Sequence, residues 1–169
     1  MERTMRVVNN TSGAQQSPHD VAQLHNQVVE QMKKTLADEY FIQLKTQNFH
    51  WNVEGPLFFS LHKLFEEQYN KIAEFVDESA EVIRALRGRA PGSFQEFRVL
   101  TSIQEAPTEK IHSNQMIETL SQDHSSLVEE YLERLESAEV AGEVSAVKLY
   151  EDLISFHEKA AWMIRSHRS

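Results

Sequence analysis

Between Leu57 and Leu86 the residues Leu61, Leu64, Phe65, Ile72, Val76, Ala80, Ile83 and Leu86 recur at three- and four-residue steps. That is the period of an amphipathic helix. A second stripe runs beside the first and carries His62, Glu66, Ala73, Asp77 and Glu81. At about 100° per residue these five fall within a sector of roughly 100°. A helix with one apolar stripe and an adjacent stripe of imidazole and carboxylates has two faces to place.

The spacing along the second stripe imposes a condition. His62 and Asp77 are fifteen residues apart, about 22 Å on one helix at 1.5 Å per residue. Bonds from metal to ligand are about 2.0–2.6 Å, so no single ion spans that distance. If these residues share an ion, they come from two chains. Two copies of the helix, antiparallel about a two-fold axis near Tyr69–Asn70, set His62 of one chain opposite Asp77 of the partner subunit. Glu66 then lies about one turn from His62, and symmetry yields two equivalent sites. Imidazole with carboxylates in excess suits a hard-to-borderline divalent metal such as iron or manganese.

The same stretch carries a motif. His50-Trp51-Asn52-Val53-Glu54-Gly55 is followed by five residues, Leu61-His62, three more residues and Glu66. Asp77 and Glu81 follow at a four-residue step. The first pattern resembles the signature of the Dps family, the ferritin-like mini-ferritins of starved bacterial cells, and Asp77 and Glu81 fall where its second signature belongs. The resemblance covers the chain from about Pro18 to the end. It departs from the family at Glu66, more often Asp, at Ser79, usually apolar, and at Val82, usually Arg.

The resemblance implies a ferroxidase centre shared between subunits. His50 and His62 come from one subunit, Asp77 and Glu81 from its two-fold mate, and Glu66 stands beside them. It implies iron as the metal, hydrogen peroxide as the preferred oxidant, a hollow dodecameric shell, and ferric mineral stored inside as protection against oxidative stress. The competing expectation is a nucleoid protein that compacts DNA and has little oxidase activity.

The rest of the chain fits an all-α, ferritin-like four-helix bundle. Residues 1–17 are polar, aperiodic and without lysine; they read as a flexible tail in front of a single domain over 18–169. Ser17 and Pro18 have the form of a helix start, with Ser17 as N-cap. Val21, Leu24, Val28, Met32, Leu36, Tyr40 and Leu44 keep helical period from there to about Trp51. The break at Gly55-Pro56 is short, so the first two helices form an antiparallel hairpin that brings His50 near His62. Trp51 beside His50 reads as interface packing.

Gly88, Pro91 and Gly92 end the second helix. About twenty residues follow, long for a helix connection, with room for a short helix in Ser93–Leu100. Such a crossover lets the second and third helices run parallel, the ferritin-type topology. Pro107-Thr108 is the expected start of the third helix, Gly142 lies in a turn, and a fourth helix takes in Val144 to Ile164. His19 and His25 read as solvated. His124 and His157 lie on apolar stripes and read as hydrogen-bonded packing residues.

Composition excludes several chemistries. The chain has 169 residues and no cysteine, which removes disulfides and thiolate sites. Neither a secretory signal nor a membrane span is visible, so the expected compartment is the cytoplasm. A net charge of −9 attracts cations and repels phosphate backbones, which disfavours DNA as a partner. Glu-x-x-His occurs once, at Glu109-Lys110-Ile111-His112, where a di-iron centre inside the bundle needs it on two helices, so the subunit interface remains the place for metal. Glu129, Glu130, Glu133, Glu136, Glu139 and Glu143 form an acidic run. It reads as a solvated face, some of which would line an iron-entry pore if the family's architecture holds.

Overall fold

The computed structural model describes residues 17–168, and five helices account for most of them: α1 (Pro18–Asn52), α2 (Phe58–Ala85), α3 (Phe94–Leu100), α4 (Ser113–Ala141) and α5 (Val144–Arg165). The region 1–16, most of the expected tail, lies outside the described residues.

Local chemistry sets the first boundary. Ser17 caps α1 by accepting from the Asp20 amide, while the Asp20 carboxylate accepts from the Ser17 amide. This reciprocal box satisfies two donors that a helix start otherwise leaves open. α2 begins and ends within a residue of the expected bounds. Its stop is not made by glycine in the usual way. Arg87 takes the left-handed conformation at φ 63°, and the Arg87 and Gly88 amides donate back to the Arg84 and Ile83 carbonyls. That is a Schellman stop with an arginine at the position glycine favours. Gly88 serves a different need, since a Cβ there would sit 2.7 Å from Val29 Cγ1.

α1 and α2 form one antiparallel hairpin, and α4 and α5 another. α1 packs on α4, α2 on α5, and α3 on α1. His25 fixes the directions. Its ring bonds the Leu86 carbonyl at the end of α2 and the Glu143 carboxylate at the start of α5. One end of the bundle therefore holds the starts of α1 and α5 and the ends of α2 and α4. At the other end, Lys110 pairs with Glu54 beside the α1–α2 turn. α2 and α4 run parallel, joined by a crossover along the length of the bundle, the ferritin-type order. The same contacts correct the reading of His25 as solvated; it is a half-buried tie between three helix ends.

The crossover is fastened in its middle. Asp38 on α1 accepts from Thr101 Oγ1 and the Ser102 amide at 2.9 and 2.7 Å, and Arg134 of α4 pairs with its other oxygen at 3.0 Å. Burial pushes the Asp38 carboxyl above its ordinary range, against the pull of Arg134 and these donors. Ile103 is buried next to this fastening. The chain beyond runs on without helix, bending at Thr108 and Glu109, so the third long helix begins at Ser113, later than expected. Ile111 packs from the extended segment, and the Gln115 side chain takes the His112 amide at the actual start.

The core is built from the apolar stripes: Met32, Leu36, Ile42 and Phe49 of α1, Leu61, Phe65 and Ile72 of α2, Ile117, Leu120 and Leu127 of α4, and Leu149 and Leu153 of α5. Burying each such side chain contributes about 1.5–3 kcal/mol. Stripe residues of α2 face inward, which turns its His and carboxylate stripe away from the bundle.

Candidate metal centre

The tight turn after α1 makes the histidine pair. Val53 is buried and its amide still bonds the Phe49 carbonyl. Gly55 turns at φ 93°, and α2 starts three residues later. His50 in the last turn of α1 is thereby brought against His62 in the second turn of α2. Their rings stack with centroids 3.8 Å apart and planes 20° from parallel. The Phe58 ring lies 4.9 Å from His62 and the Tyr69 ring 5.3 Å from His50.

Each ring is held by the other residue's main chain. His50 Nδ1 lies 2.8 Å from the His62 carbonyl oxygen, and His62 Nδ1 lies 2.9 Å from the His50 carbonyl oxygen. A carbonyl can only accept, so both Nδ1 atoms carry the proton and donate. In the neutral ring this leaves Nε2 with its lone pair, the state a metal ligand requires, and it fixes the ring's orientation. His50 is 7 % exposed and His62 is half-buried, so the pair sits at the surface edge of the bundle.

Glu66, one turn along α2 from His62, accepts from Lys63 Nζ at 2.7 Å. That bond, with the Lys63 charge, holds the Glu66 carboxyl below the usual carboxylate range, and the two imidazoles add to it. Asp77 and Glu81 are exposed farther along the same helix. Within one chain they do not come near the histidines. Among the described residues of a single chain, no group of three or more His, Asp and Glu gathers as a metal site. The structure therefore brings His50 and His62 together, sets Glu66 one turn along α2 from His62, and leaves Asp77 and Glu81 apart. Trp51 and Phe59 beside the pair are 60 % and 76 % exposed, large apolar surface of the kind that marks an association face.

A second histidine pair lies inside the bundle. His124 and His157 are fully buried, with their Nδ1 atoms 2.6 Å apart. His157 Nε2 lies 2.9 Å from Glu39 Oε1, which also accepts from the Tyr131 hydroxyl at 2.6 Å. The packing role read from the apolar stripes is what the structure shows for these histidines. Their anchor, Glu39, carries no periodicity signal; a carboxylate in an apolar register is visible only once its partners, 92 and 118 residues away, are in place. Of the acidic run, Glu130 pairs with Arg134 and Glu143 with His25. Two departures from the family pattern can be placed in the bundle. Ser79 is buried with no partner for its hydroxyl, and Val82 is a half-buried residue packed on the core.

The ferritin-like domain profile matches residues 29–169. A Bacillus anthracis relative, DNA protection during starvation protein 2, is 34% identical over 143 residues, 85% of this chain and 97% of the relative. The chain belongs to the Dps family. The crystal structure of Dps from Staphylococcus aureus is similar with a TM-score of 0.82 at 34% identity, covering 85% of this chain and 96% of that one. Dps from Vibrio cholerae O1, described as a member of a broad superfamily of ferritin-like diiron-carboxylate proteins, is similar with a TM-score of 0.80 at 29% identity over 87% of this chain and 91% of that one. The Dps-type reading of the bundle topology thus agrees with these relatives. Among the described residues no helix is long and apolar enough to cross a membrane.

Proposed function

We propose that this chain takes up iron(II), oxidises it, with hydrogen peroxide as the preferred acceptor, and stores the ferric product inside a shell of identical subunits. The reading places this activity in the cytoplasm, as protection against oxidative damage. The observation that carries it is the reciprocal pair of Nδ1-to-carbonyl bonds, which leaves Nε2 of His50 and of His62 free to bind, with Glu66 one turn along α2.

The substrate ion is held by His50 and His62 of one subunit and by Asp77 and Glu81 of the partner subunit, with Glu66 alongside. The imidazoles bind as neutral donors. The carboxylates supply the negative charge that favours the ferric over the ferrous state. Two iron(II) ions give one electron each to one peroxide, which with two protons becomes two waters. Consuming iron(II) and peroxide together removes the reagents of hydroxyl-radical formation. The dimer that completes the centre follows from the distance along α2, and the dodecameric shell from the family.

DNA compaction is the less favoured reading, because the net charge of −9 repels a phosphate backbone. A gel-shift assay at low salt, with and without residues 1–17, tests it. The ferroxidase reading is tested by His50→Ala combined with His62→Ala. Iron-dependent peroxide consumption should disappear while size-exclusion chromatography shows the assembly unchanged. Consumption at the wild-type rate in the double variant would remove the proposal.

A further inference from the structure

Lys63 follows His62 directly and points its ammonium at the carboxylate next to the histidine pair. Its Nζ is 2.7 Å from Glu66 Oε2, and the two side chains are 55% and 38% exposed. One carboxylate, a turn along α2 from His62, is therefore held by a cation of its own chain.

We propose that Lys63 is a resident competitor for Glu66: its ammonium occupies the carboxylate that an incoming divalent cation needs, and so sets the metal concentration at which the centre fills. The inference rests on the reading of His50, His62 and Glu66 as ligands. A lysine suits the task. Its ammonium is a compact, hydrated point charge on a flexible stem, so it can leave Glu66 for water when a metal arrives without disturbing either histidine. With Lys63 in place the local charge of the pair is zero; without it, Glu66 presents a full negative charge to the metal. Lys63 is then a specificity-setting residue of the centre, one that acts through Glu66 and touches no iron.

Cobalt(II) titration of the full-length protein tests this, read by the visible absorption of the bound ion, which reports ligation without turnover. Lys63→Met should bind cobalt(II) about two- to fivefold more tightly at low salt, the span that exposed ion pairs carry. The advantage should shrink as salt rises, because the added attraction is screened. Lys63→Arg keeps the cation and should stay near wild type. The half-exposed position lets both variants keep the fold, which the thermal midpoint verifies. Equal or weaker binding by Lys63→Met at low salt, against histidine-dependent binding by the wild type, overturns the role of Lys63 alone. Wild-type binding that survives His50→Ala with His62→Ala overturns the ligand reading and this inference together.

Discussion

Two histidine pairs occupy this bundle, and they differ in where each leaves a lone pair. At the edge, His50 and His62 direct both Nδ1 protons at main-chain carbonyls. Each Nε2 stays open on a helix face lined with carboxylates. In the interior, His124 and His157 bond each other, and His157 bonds Glu39. His124 Nε2 is also without a partner, but it is fully enclosed. Residue type is the same in both places. What separates a ligand from a packing residue is an open nitrogen that an ion can reach with other donors nearby.

The largest expected effect separates the pairs outright. Groups that only hydrogen-bond to a metal's ligands are worth about 10–100-fold in affinity, so removing His50 and His62 themselves should weaken cobalt(II) binding by more than about 100-fold, with little change in thermal stability. The inner pair should behave in the opposite way. His157→Ala leaves the Glu39 carboxylate buried with Tyr131 as its remaining donor, at a cost of about 3–5 kcal/mol in chemical denaturation. Metal binding at the edge should be unchanged. A loss of binding in that variant would erase the distinction between the pairs.

A smaller effect is pH dependence. Burial, with His157 next in weight and Lys45 after it, holds His124 well below the ordinary histidine value of 6.5. The unfolded chain then binds a proton that the folded chain refuses, so stability rises with pH across that interval. The contribution is complete above 6.5 and is lost as the pH falls toward the lowered value, by up to about 1.4 kcal/mol per pH unit. Denaturation of the wild type and of His124→Gln between pH 7 and 5 should show the steeper fall in the wild type. Parallel curves would sink this account. The smallest effect tests an orphan atom with no access at all. The Ser79 hydroxyl is buried and unpaired, so Ser79→Ala should raise stability by about 1 kcal/mol and leave metal binding as it was.

The same contrast explains what was legible before the structure. Apolar periodicity located α2 to within a residue of each end and found room for α3, because those elements are specified by local spacing. The start of α4 was misplaced at Pro107-Thr108. The dipeptide carries a local start signal, but the crossover, tied at Thr101 and Ser102 to Asp38, runs on without helix as far as His112. Gly88, Pro91 and Gly92 mark the stop of α2 in the sequence, whereas the left-handed residue is Arg87; the close approach of Gly88 to Val29 is not written in local sequence. His25, Asp38, Glu39 and Arg134 were missed in their structural roles because their partners lie 61–118 residues away. At the centre, the motif and the spacing named His50, His62 and Glu66 as neighbours. The carbonyl bonds that orient the rings involve main-chain atoms, and no side-chain pattern announces them.

Those carbonyl bonds also determine how the centre breaks. Each imidazole is gripped by backbone, and a substitution at the other histidine leaves that backbone oxygen in place. Taking away one ring should therefore leave its neighbour still aimed outward, a one-armed site in place of a collapsed one.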